Sequence, residues 1–321
     1  MGTRSLAAVL IFRAYSDWRQ RNAKGDAVHS MLALEEPEAH LHPQAQRALF
    51  GQIEAIPGQR IISTHSPYIA SQAAIAHFRH FRKVGAETQV TRIDTTALDR
   101  DDLRKIDRMV LNTRGEMLFA RALVFFEGET EEQSLPVFAR AYWGEHINTL
   151  GISMIGVSGM AYLPFARLAE SFAIPWFIFS DGEPAALKAL HNVLKNLGRP
   201  ENAEDNDNIF VIPGGRDFEG HLARDDYEDL LVDMIVNEIS RKKAMNEQSR
   251  QALKKKWNEK PDKLDAIKQE LKCGKSQYAQ PVAEAISSLE DETLQFPPLI
   301  RELFDRMSQE PGLNRQQGSD Q

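Results

Sequence analysis

Several features that would assign this chain to a narrow class are missing from its 321 residues. Cys273 is the single cysteine, so an internal disulfide is impossible and a cysteine-based zinc site is not expected. No run approaches the roughly 18 consecutive apolar residues of a membrane span, and the N-terminus lacks the apolar region and cleavage site of a signal peptide. These absences predict a soluble protein without membrane contact, located in the cytoplasm.

The charge of the chain is distributed unevenly. The net charge is −7, yet residues 241–275, here called the basic arm, contain twelve Lys and Arg against five Asp and Glu. Such an arm could follow the phosphate backbone of a nucleic acid. The arm also has apolar residues at helical spacing, which fit a solvated pair of helices, and the two readings are compatible. These residues are Trp257, Leu264, Ile267 and Leu271.

Apolar and amphipathic segments alternate through most of the chain. We expect strands at 29–36, 59–67, 122–125, 152–157, 175–180 and 208–212, a hairpin around Gly85, and helices at 43–56, 99–112, 131–143, 160–172 and 184–197. This alternation predicts an α/β fold with a parallel sheet, helices on both faces, and functional residues at the carboxyl ends of the strands. A second unit is expected to begin near residue 121, and the chain reads as helical from about residue 225.

The stretch LEEPEAHLHP places paired acids at the end of the first expected strand. In this position Glu35 could help to hold the Mg²⁺ of a nucleotide, and Glu36 could orient an attacking water. The segment STHSP then puts His65 at the end of the next strand, where it could contact a γ-phosphate. An acidic turn or a histidine on its own is usually structural, but the two strand-end motifs in this order favour a nucleotide site.

These motifs resemble the Walker B, D-loop and switch-histidine region of ABC-type ATPases, in the form carried by the OLD (overcoming lysogenization defect) family. The opening GTRSL is similar to the tail of that family's signature motif. Two features depart from the family: Glu35 stands where such ATPases commonly have Asp, and there is no G-x-x-x-x-G-K-[ST] loop to cradle phosphates. The resemblance implies the C-terminal part of a longer, ATP-using protein, and we expect no ATP turnover from this chain alone.

The stretch FEGETEEQ concentrates four glutamates where another apolar strand ends. Thr130 could cap the following helix, with the next two glutamates in its first turn, where the helix dipole favours anions. This interpretation, in which the residues begin a helix, does not explain Glu127. The adjacent Gly128 indicates a tight turn or a close approach of the backbone.

A second apolar strand, in IPWFIFSDGEP, also ends in acids, Asp181 and Glu183. On an extended chain these two side chains point the same way. If the two strands are neighbours, Glu127, Glu131, Asp181 and Glu183 converge at one edge of the sheet. Carboxylates about 4 Å apart repel by roughly 1 kcal/mol in water and more in a cleft. Divalent cations with oxygen ligands, Mg²⁺ or Mn²⁺, would relieve this repulsion.

The pair EGETEE and FSDGE resembles the Toprim fold, with its E-G-x-[ST]-E turn and later D-x-D, although Glu183 here replaces the second Asp. The segment RGEMLFARALVFFEGETEE is similar to the junction between the ATPase and Toprim domains of OLD proteins. The resemblance implies a partial ABC-type ATPase unit, a helical connector, a Toprim domain, a helical basic segment and a disordered tail. Their expected ranges are 1–95, 96–120, 121–224, 225–310 and 311–321.

OLD proteins are DNA nucleases, so the resemblance implies a metal-dependent endonuclease that acts on the DNA backbone with two divalent ions. Glu127 and Asp181 would be catalytic as well as metal ligands. Lys275, in CGKSQYAQPVAEAI, matches the catalytic lysine that the family carries in its C-terminal helical segment, but it could also be one basic residue of the arm among twelve. Glu219, in GGRDFEGHL, could be a further metal ligand or simply a helix N-terminal acid.

The competing hypothesis is a non-cleaving, ATPase-linked module whose Toprim unit binds DNA or metal. The replacement by Glu183 favours it, whereas the retained carboxylates and Lys275 argue against it. A topoisomerase would need a tyrosine-bearing domain and a DnaG-type primase a zinc domain, for which the chain has little room and too few cysteines. The resemblance further implies a homodimer for the longer protein and a monomer for this chain.

Overall fold

The computed structural model describes residues 2–22, 30–93, 95, 98–111 and 115–314. By its internal contacts the chain divides into two compact units, Met1–Phe119 and Ala120–Gln321. Each unit contains its own cluster of buried apolar residues. The mixed α/β fold with a parallel sheet and many helices, as predicted from the sequence, is confirmed.

The first unit is built around two short parallel strands. Its elements are α1 (Gly2–Asn22), β1 (Met31–Glu35), α2 (Pro43–Glu54), β2 (Gln59–Ser63), α3 (Pro67–Ala70), β3 (His80–Val84), β4 (Glu87–Thr91) and α4 (Arg100–Lys105), with a π-helical turn (Ile106–Leu111) and two 3-10 helices (Ile75–His77 and Gly115–Phe119). β1 pairs with β2, and β3 forms an antiparallel hairpin with β4. The predicted hairpin around Gly85 is therefore confirmed.

The second strand is shorter than expected because a helix follows it at once. β2 ends at Ser63, and Ser66 caps α3 by accepting hydrogen bonds from the backbone N–H groups of Tyr68 and Ile69. Pro67 at the first helical position has no N–H to lose there. As a result, His65 lies in the turn between β2 and α3 and not within a strand.

The second unit contains a four-stranded parallel sheet with the strand order β6–β5–β7–β8. Its elements are β5 (Ala122–Phe126), α5 (Glu129–Trp143), α6 (Ile147–Leu150), β6 (Ile152–Gly156), α7 (Leu163–Ser171), β7 (Trp176–Ser180), α8 (Pro184–Leu197), β8 (Ile209–Val211), α9 (Phe218–Leu222), α10 (Glu228–Lys242), α11 (Glu247–Asn258), α12 (Lys263–Cys273), α13 (Lys275–Ser287) and α14 (Pro298–Met307), joined by short 3-10 turns. Every residue of β5 and β7 is buried, as expected for central strands that are covered on both faces.

The C-terminal helices belong to the same core as the sheet. α13 packs along α5, and the Ser134 hydroxyl donates to the carbonyl of Ala279 at 3.0 Å between them. α12 and α13 are separated at Gly274, where a Cβ would lie 2.6 Å from the ring of Tyr278. As predicted, the chain is mainly helical beyond residue 225, with five helices between Glu228 and Met307.

The sequence predicted a disordered tail from residue 311, but part of this segment is packed in the core. Leu313 is fully buried, and its carbonyl accepts a hydrogen bond from Nε1 of Trp143 at 2.9 Å. The prediction of a tail from residue 311 is therefore wrong for residues 311–313, because an apolar side chain there completes the core. The rest of that segment, 315–321, lies outside the described residues.

None of the helices that the described residues form is both long and apolar enough to cross a membrane.

Candidate metal centre

The carboxyl ends of β5 and β7 position the first two acids of the candidate site. The strands pair in parallel, with Val124 opposite Phe177. The residues that follow them therefore share one edge of the sheet. Glu127 follows β5 and is exposed, whereas Asp181 follows β7 and is half-buried. The two strands are neighbours, which is the condition on which the sequence interpretation depended.

The start of α5 differs from the predicted cap. The helix begins at Glu129, and its N-cap residue Gly128 supplies no side-chain cap. Thr130 is buried, and its hydroxyl donates to Oε1 of Glu219 at 2.6 Å. The prediction that Thr130 caps the helix is wrong, because a carboxylate from α9 takes its hydroxyl.

Glu131 lies in the first turn of α5 and folds back toward the preceding residues. A Cβ on Gly128 would overlap Oε2 of Glu131, so the glycine provides the close approach that the sequence indicated. Glu131 is 4% exposed, and this burial is the main reason that its pKa rises to about 8. Its own backbone N–H opposes the rise, as does Lys275, while the charges of Asp181 and Glu219 increase it.

Burial and the negative charges of several neighbouring acids both act on the carboxyl group of Asp181. Burial raises its pKa to about 6, and the charges of Asp217, Glu219, Glu183 and Glu127 add to the rise. Its Oδ1 atom is buried and has no hydrogen-bond partner among the described residues. A buried carboxylate oxygen left in this state is unfavourable. The acids at the ends of β5, β7 and β8 are thus close enough to repel one another.

Asp181 and Glu183 are not equivalent, although one residue separates them. Glu183 is exposed and precedes Pro184, the first residue of α8. Between them, the N–H of Gly182 donates to the carbonyl of Arg216 at 2.9 Å. The turn after β7 is thereby fixed against the segment that follows β8.

α9 brings two more acids to this region. Asp217 caps the helix by accepting from the N–H of Gly220 at 2.9 Å, and Lys268 and Lys272 form ion pairs with it. Glu219 is 2% exposed and lies 3.4 Å from Nζ of Lys275. The two acids of α9 are therefore already paired with cations.

Three lysines of α12 and α13 thus face the acids of α9. Lys268 and Lys272 are one helical turn apart, and Lys275 follows Gly274 as the first residue of α13. Asp217 raises the pKa of Lys272, with further contributions from Glu183 and Glu219. The sequence pointed to Lys275 alone within this group.

A tyrosine that the sequence interpretation missed also lies beside the acids. Tyr162 is fully buried, and its hydroxyl has no hydrogen-bond partner among the described residues. Burial is the main cause of its raised pKa, and the charges of Glu127, Glu131 and Asp181 contribute. The sequence GMAY gave no indication that Tyr162 lies near the acids, because an isolated tyrosine is usually a core residue.

The donor atoms in this region suit a hard divalent cation. They are carboxylate oxygens, the ligand type that Mg²⁺ and Mn²⁺ prefer. The charges of neighbouring acids add to the effect of burial in raising the pKa values of Glu131 and Asp181. Among the described residues, no group of three or more His, Cys, Asp or Glu side chains is already arranged as an ion site. The residues therefore fit a divalent ion in donor chemistry and charge, and binding would require the side chains to draw together.

The first unit holds the residues proposed for a nucleotide. Glu35 ends β1 and is exposed. Glu36 follows with a positive φ of 39°, and its Oε1 lies 3.6 Å from Nε2 of His65. The next acid, Glu38, is buried and accepts a hydrogen bond from the Thr64 hydroxyl. The structure thus brings Glu36 and His65 together, and nucleotide binding by this unit stays a prediction.

Two family models match the chain. Residues 118–182 match the model described as "Overcoming lysogenization defect protein-like, TOPRIM domain", and residues 3–116 match "Protein of unknown function (DUF2813)". The second match assigns no activity to the first unit.

Two curated proteins and one solved structure are similar to parts of this chain. The chain is 27% identical over 200 residues to the uncharacterized protein YbjD of Escherichia coli K12, covering 62% of this chain and 36% of that protein. It is 34% identical over 137 residues to the OLD nuclease of Thermus scotoductus, covering 40% and 25%. A solved structure, the C-terminal region of the Burkholderia pseudomallei OLD protein, is 26% identical, with a TM-score of 0.44 and coverage of 59% and 97%.

The chain spans about a third or less of the length of these curated relatives. The stretch EGETEE (127–132) and Asp181, on which the Toprim resemblance rests, lie within the matched TOPRIM segment, so the resemblance to OLD proteins is confirmed. Residues 118–182, at the start of the second unit, are therefore similar to an OLD-like TOPRIM domain.

Proposed function

We propose that this chain contributes a divalent-metal-dependent DNA endonuclease site, formed at the carboxyl edge of the sheet in the second unit. The observation that carries the proposal is the convergence of acids from β5, β7 and α9 beside Lys275. Burial raises the pKa values of Glu131 and Asp181, and the charges of the neighbouring acids add to the rise. A cation would remove this excess charge, and nuclease-named relatives make DNA the first substrate to test.

The metal ligands in this proposal come from three segments of the second unit. They are Glu127 and Glu131 after β5, Asp181 and Glu183 after β7, and Glu219 in α9. When bound, two Mg²⁺ or Mn²⁺ ions would activate a water molecule and stabilise the leaving 3′-oxygen of a phosphodiester. The half-buried position of Asp181 between the other acids makes it the expected common ligand.

Lys275 would act on the phosphate. It is exposed, and its Nζ lies 3.4 Å from Oε1 of Glu219. If a divalent cation bound Glu219 in place of Lys275, the ammonium group of Lys275 would be free to approach the phosphate oxygens. There it would balance the negative charge that develops in the transition state.

The basic arm would hold the DNA backbone without reading its sequence. Trp257, Ile267 and Leu271 are buried, so they fix the arm to the core by their apolar faces. Lys255 and Lys256 remain exposed on α11. Exposed lysines on a fixed helix suit contacts with phosphates, which determine affinity and not sequence preference.

The non-cleaving alternative is favoured by the pairing of Lys268 and Lys272 with Asp217 and of Lys275 with Glu219. In that hypothesis the lysines replace the cations permanently. The two hypotheses differ in metal-dependent cleavage and not in DNA binding.

Nicking of supercoiled plasmid by the purified chain, with Mg²⁺ or Mn²⁺ and with EDTA, tests the proposal. We expect cleavage with metal only, and its loss in Glu127→Ala and Asp181→Ala. Glu129→Ala is the matched control, because Glu129 is exposed in the same turn and is not among the main causes of the raised pKa values. Full activity of the two variants would refute the site, and absence of metal-dependent cleavage by the unaltered chain would favour the alternative.

Coupling to ATP is proposed only for a longer protein that contains the phosphate loop. In such a protein Glu35, Glu36 and His65 would contact the nucleotide. Phosphate release from ATP by the purified chain measures this directly, and we expect none above a no-protein control. Turnover that is lost in Glu36→Gln would contradict the expectation.

A further inference from the structure

Tyr162 has a buried hydroxyl that the proposed reaction has not used. The residue follows β6, the strand that pairs with β5 on the side away from β7. Gly159 and Met160 both have positive φ, 65° and 54°, so the chain turns sharply after β6. The N–H of Tyr162 donates to the carbonyl of Met160 at 2.8 Å. This turn places the tyrosine at the start of α7, after the strand that pairs with β5.

The phenol ring is completely buried, yet its hydroxyl has no hydrogen-bond partner among the described residues. Buried hydroxyls normally have partners, because an unpaired one loses its hydrogen bonds to water without replacement. The second unit contains a contrasting case: Tyr227, 2% exposed, donates its hydroxyl to the carbonyl of Leu294 at 2.9 Å. Packing alone would be served as well by Phe at position 162.

The charged groups that act on Tyr162 are all acids. The three charged groups that act on its phenol are the carboxylates of Glu127, Glu131 and Asp181. Oδ1 of Asp181 is likewise buried and without a hydrogen-bond partner among the described residues. A donor without an acceptor and an acceptor without a donor therefore lie in the same acidic cluster.

We propose that Tyr162 is a positioning residue of the candidate metal centre, whose hydroxyl donates to a carboxylate oxygen of the acidic cluster when the cluster holds a divalent cation. This inference rests on the proposed function. As the side chains draw together around an ion, a carboxylate comes within reach of the phenol, which remains protonated. Groups that hydrogen-bond to metal ligands in this way fix the orientation of the ligand and raise affinity for the metal.

The substitution Tyr162→Phe tests this role, because it removes the hydroxyl and keeps the ring. Without metal, in EDTA, we expect an unchanged or higher melting temperature, since an unpartnered buried hydroxyl is lost. With Mn²⁺ as the probe, titration calorimetry should give a dissociation constant raised by about 10-fold or more. A hydroxyl with a purely structural role would lower the melting temperature and leave Mn²⁺ affinity unchanged.

Tyr227→Phe is the matched control, with the same substitution at another buried tyrosine of the second unit. It should lower the melting temperature in EDTA, because the carbonyl of Leu294 loses its donor, and it should leave Mn²⁺ affinity as in the unaltered chain. An unchanged Mn²⁺ affinity in Tyr162→Phe, while the unaltered chain binds the ion and nicks plasmid, overturns this inference alone. Failure of the unaltered chain to bind Mn²⁺ contradicts the proposed function and this inference together.

Discussion

Gly182, between the two acids that follow β7, should tolerate no side chain. A Cβ at this position would overlap the carbonyl oxygen of Ile212 and lie 3.2 Å from its carbonyl carbon and 3.4 Å from the backbone nitrogen of Gly215. All three neighbours are backbone atoms, so no side chain can rotate away. The substitution Gly182→Ala must therefore move the turn that carries Asp181 and Glu183.

The energetic consequence follows from two losses. Overpacking against fixed atoms costs about 1–3 kcal/mol. Displacing the turn also strains the hydrogen bond from the N–H of Gly182 to Arg216, worth about 1 kcal/mol. The total of about 2–4 kcal/mol corresponds to a fall in melting temperature of about 5–15 °C for a unit of roughly 200 residues.

Tryptophan fluorescence reports this unfolding, because Trp143, Trp176 and Trp257 all lie in the second unit. Assayed well below the melting temperature, Gly182→Ala should also lose plasmid nicking by about 100-fold, since a displacement near 1 Å at a reacting centre has that effect. Gly51→Ala is the control: nothing lies within 4 Å of its added Cβ in α2, so it should be neutral or stabilising. A Gly182→Ala protein with unchanged melting temperature and full activity would refute the reasoning.

Three further predictions concern the lysines and the C-terminal core. Lys275→Ala should reduce the nicking rate by about 100-fold or more, with Mn²⁺ affinity retained in calorimetry; an unchanged rate would remove Lys275 from the proposed mechanism. The double substitution Lys255→Gln and Lys256→Gln should lower the slope of log DNA affinity against log salt by about 2, with no change in melting temperature. Leu313→Ala should reduce the free energy of unfolding by about 2–5 kcal/mol, measured by urea denaturation; a neutral result would place residue 313 outside the core.

The sequence predicted best where local signals agree with the tertiary environment. Helix 184–197 was predicted with the bounds that α8 has, because Pro184 fixes its first residue and Gly198, with a φ of 69°, ends it. The all-apolar runs of β5 and β7 identified the central strands in the same way. Their pairing is a tertiary fact, but parallel alternation left few other arrangements.

The failures share a physical cause, which is competition from residues distant in the chain. Thr130 has the composition and spacing of a cap, yet Glu219, 89 residues away, takes its hydroxyl. The sequence analysis did not identify Asp217, which caps α9. Its ion pairs with Lys268 and Lys272 bring it into the acidic cluster, and no local pattern encodes them.

The way in which the acids are compensated indicates where a first cation would bind. Asp217 and Glu219, in α9, are paired with lysines. Among the described residues, no Lys or Arg forms an ion pair with Glu131 or Asp181, and Lys275 only lessens the rise in the pKa of Glu131. Excess negative charge therefore collects between β5 and β7. A first divalent ion gains most electrostatic energy there, whereas an ion beside α9 must first displace Lys272 or Lys275, so we expect two binding events of unequal affinity.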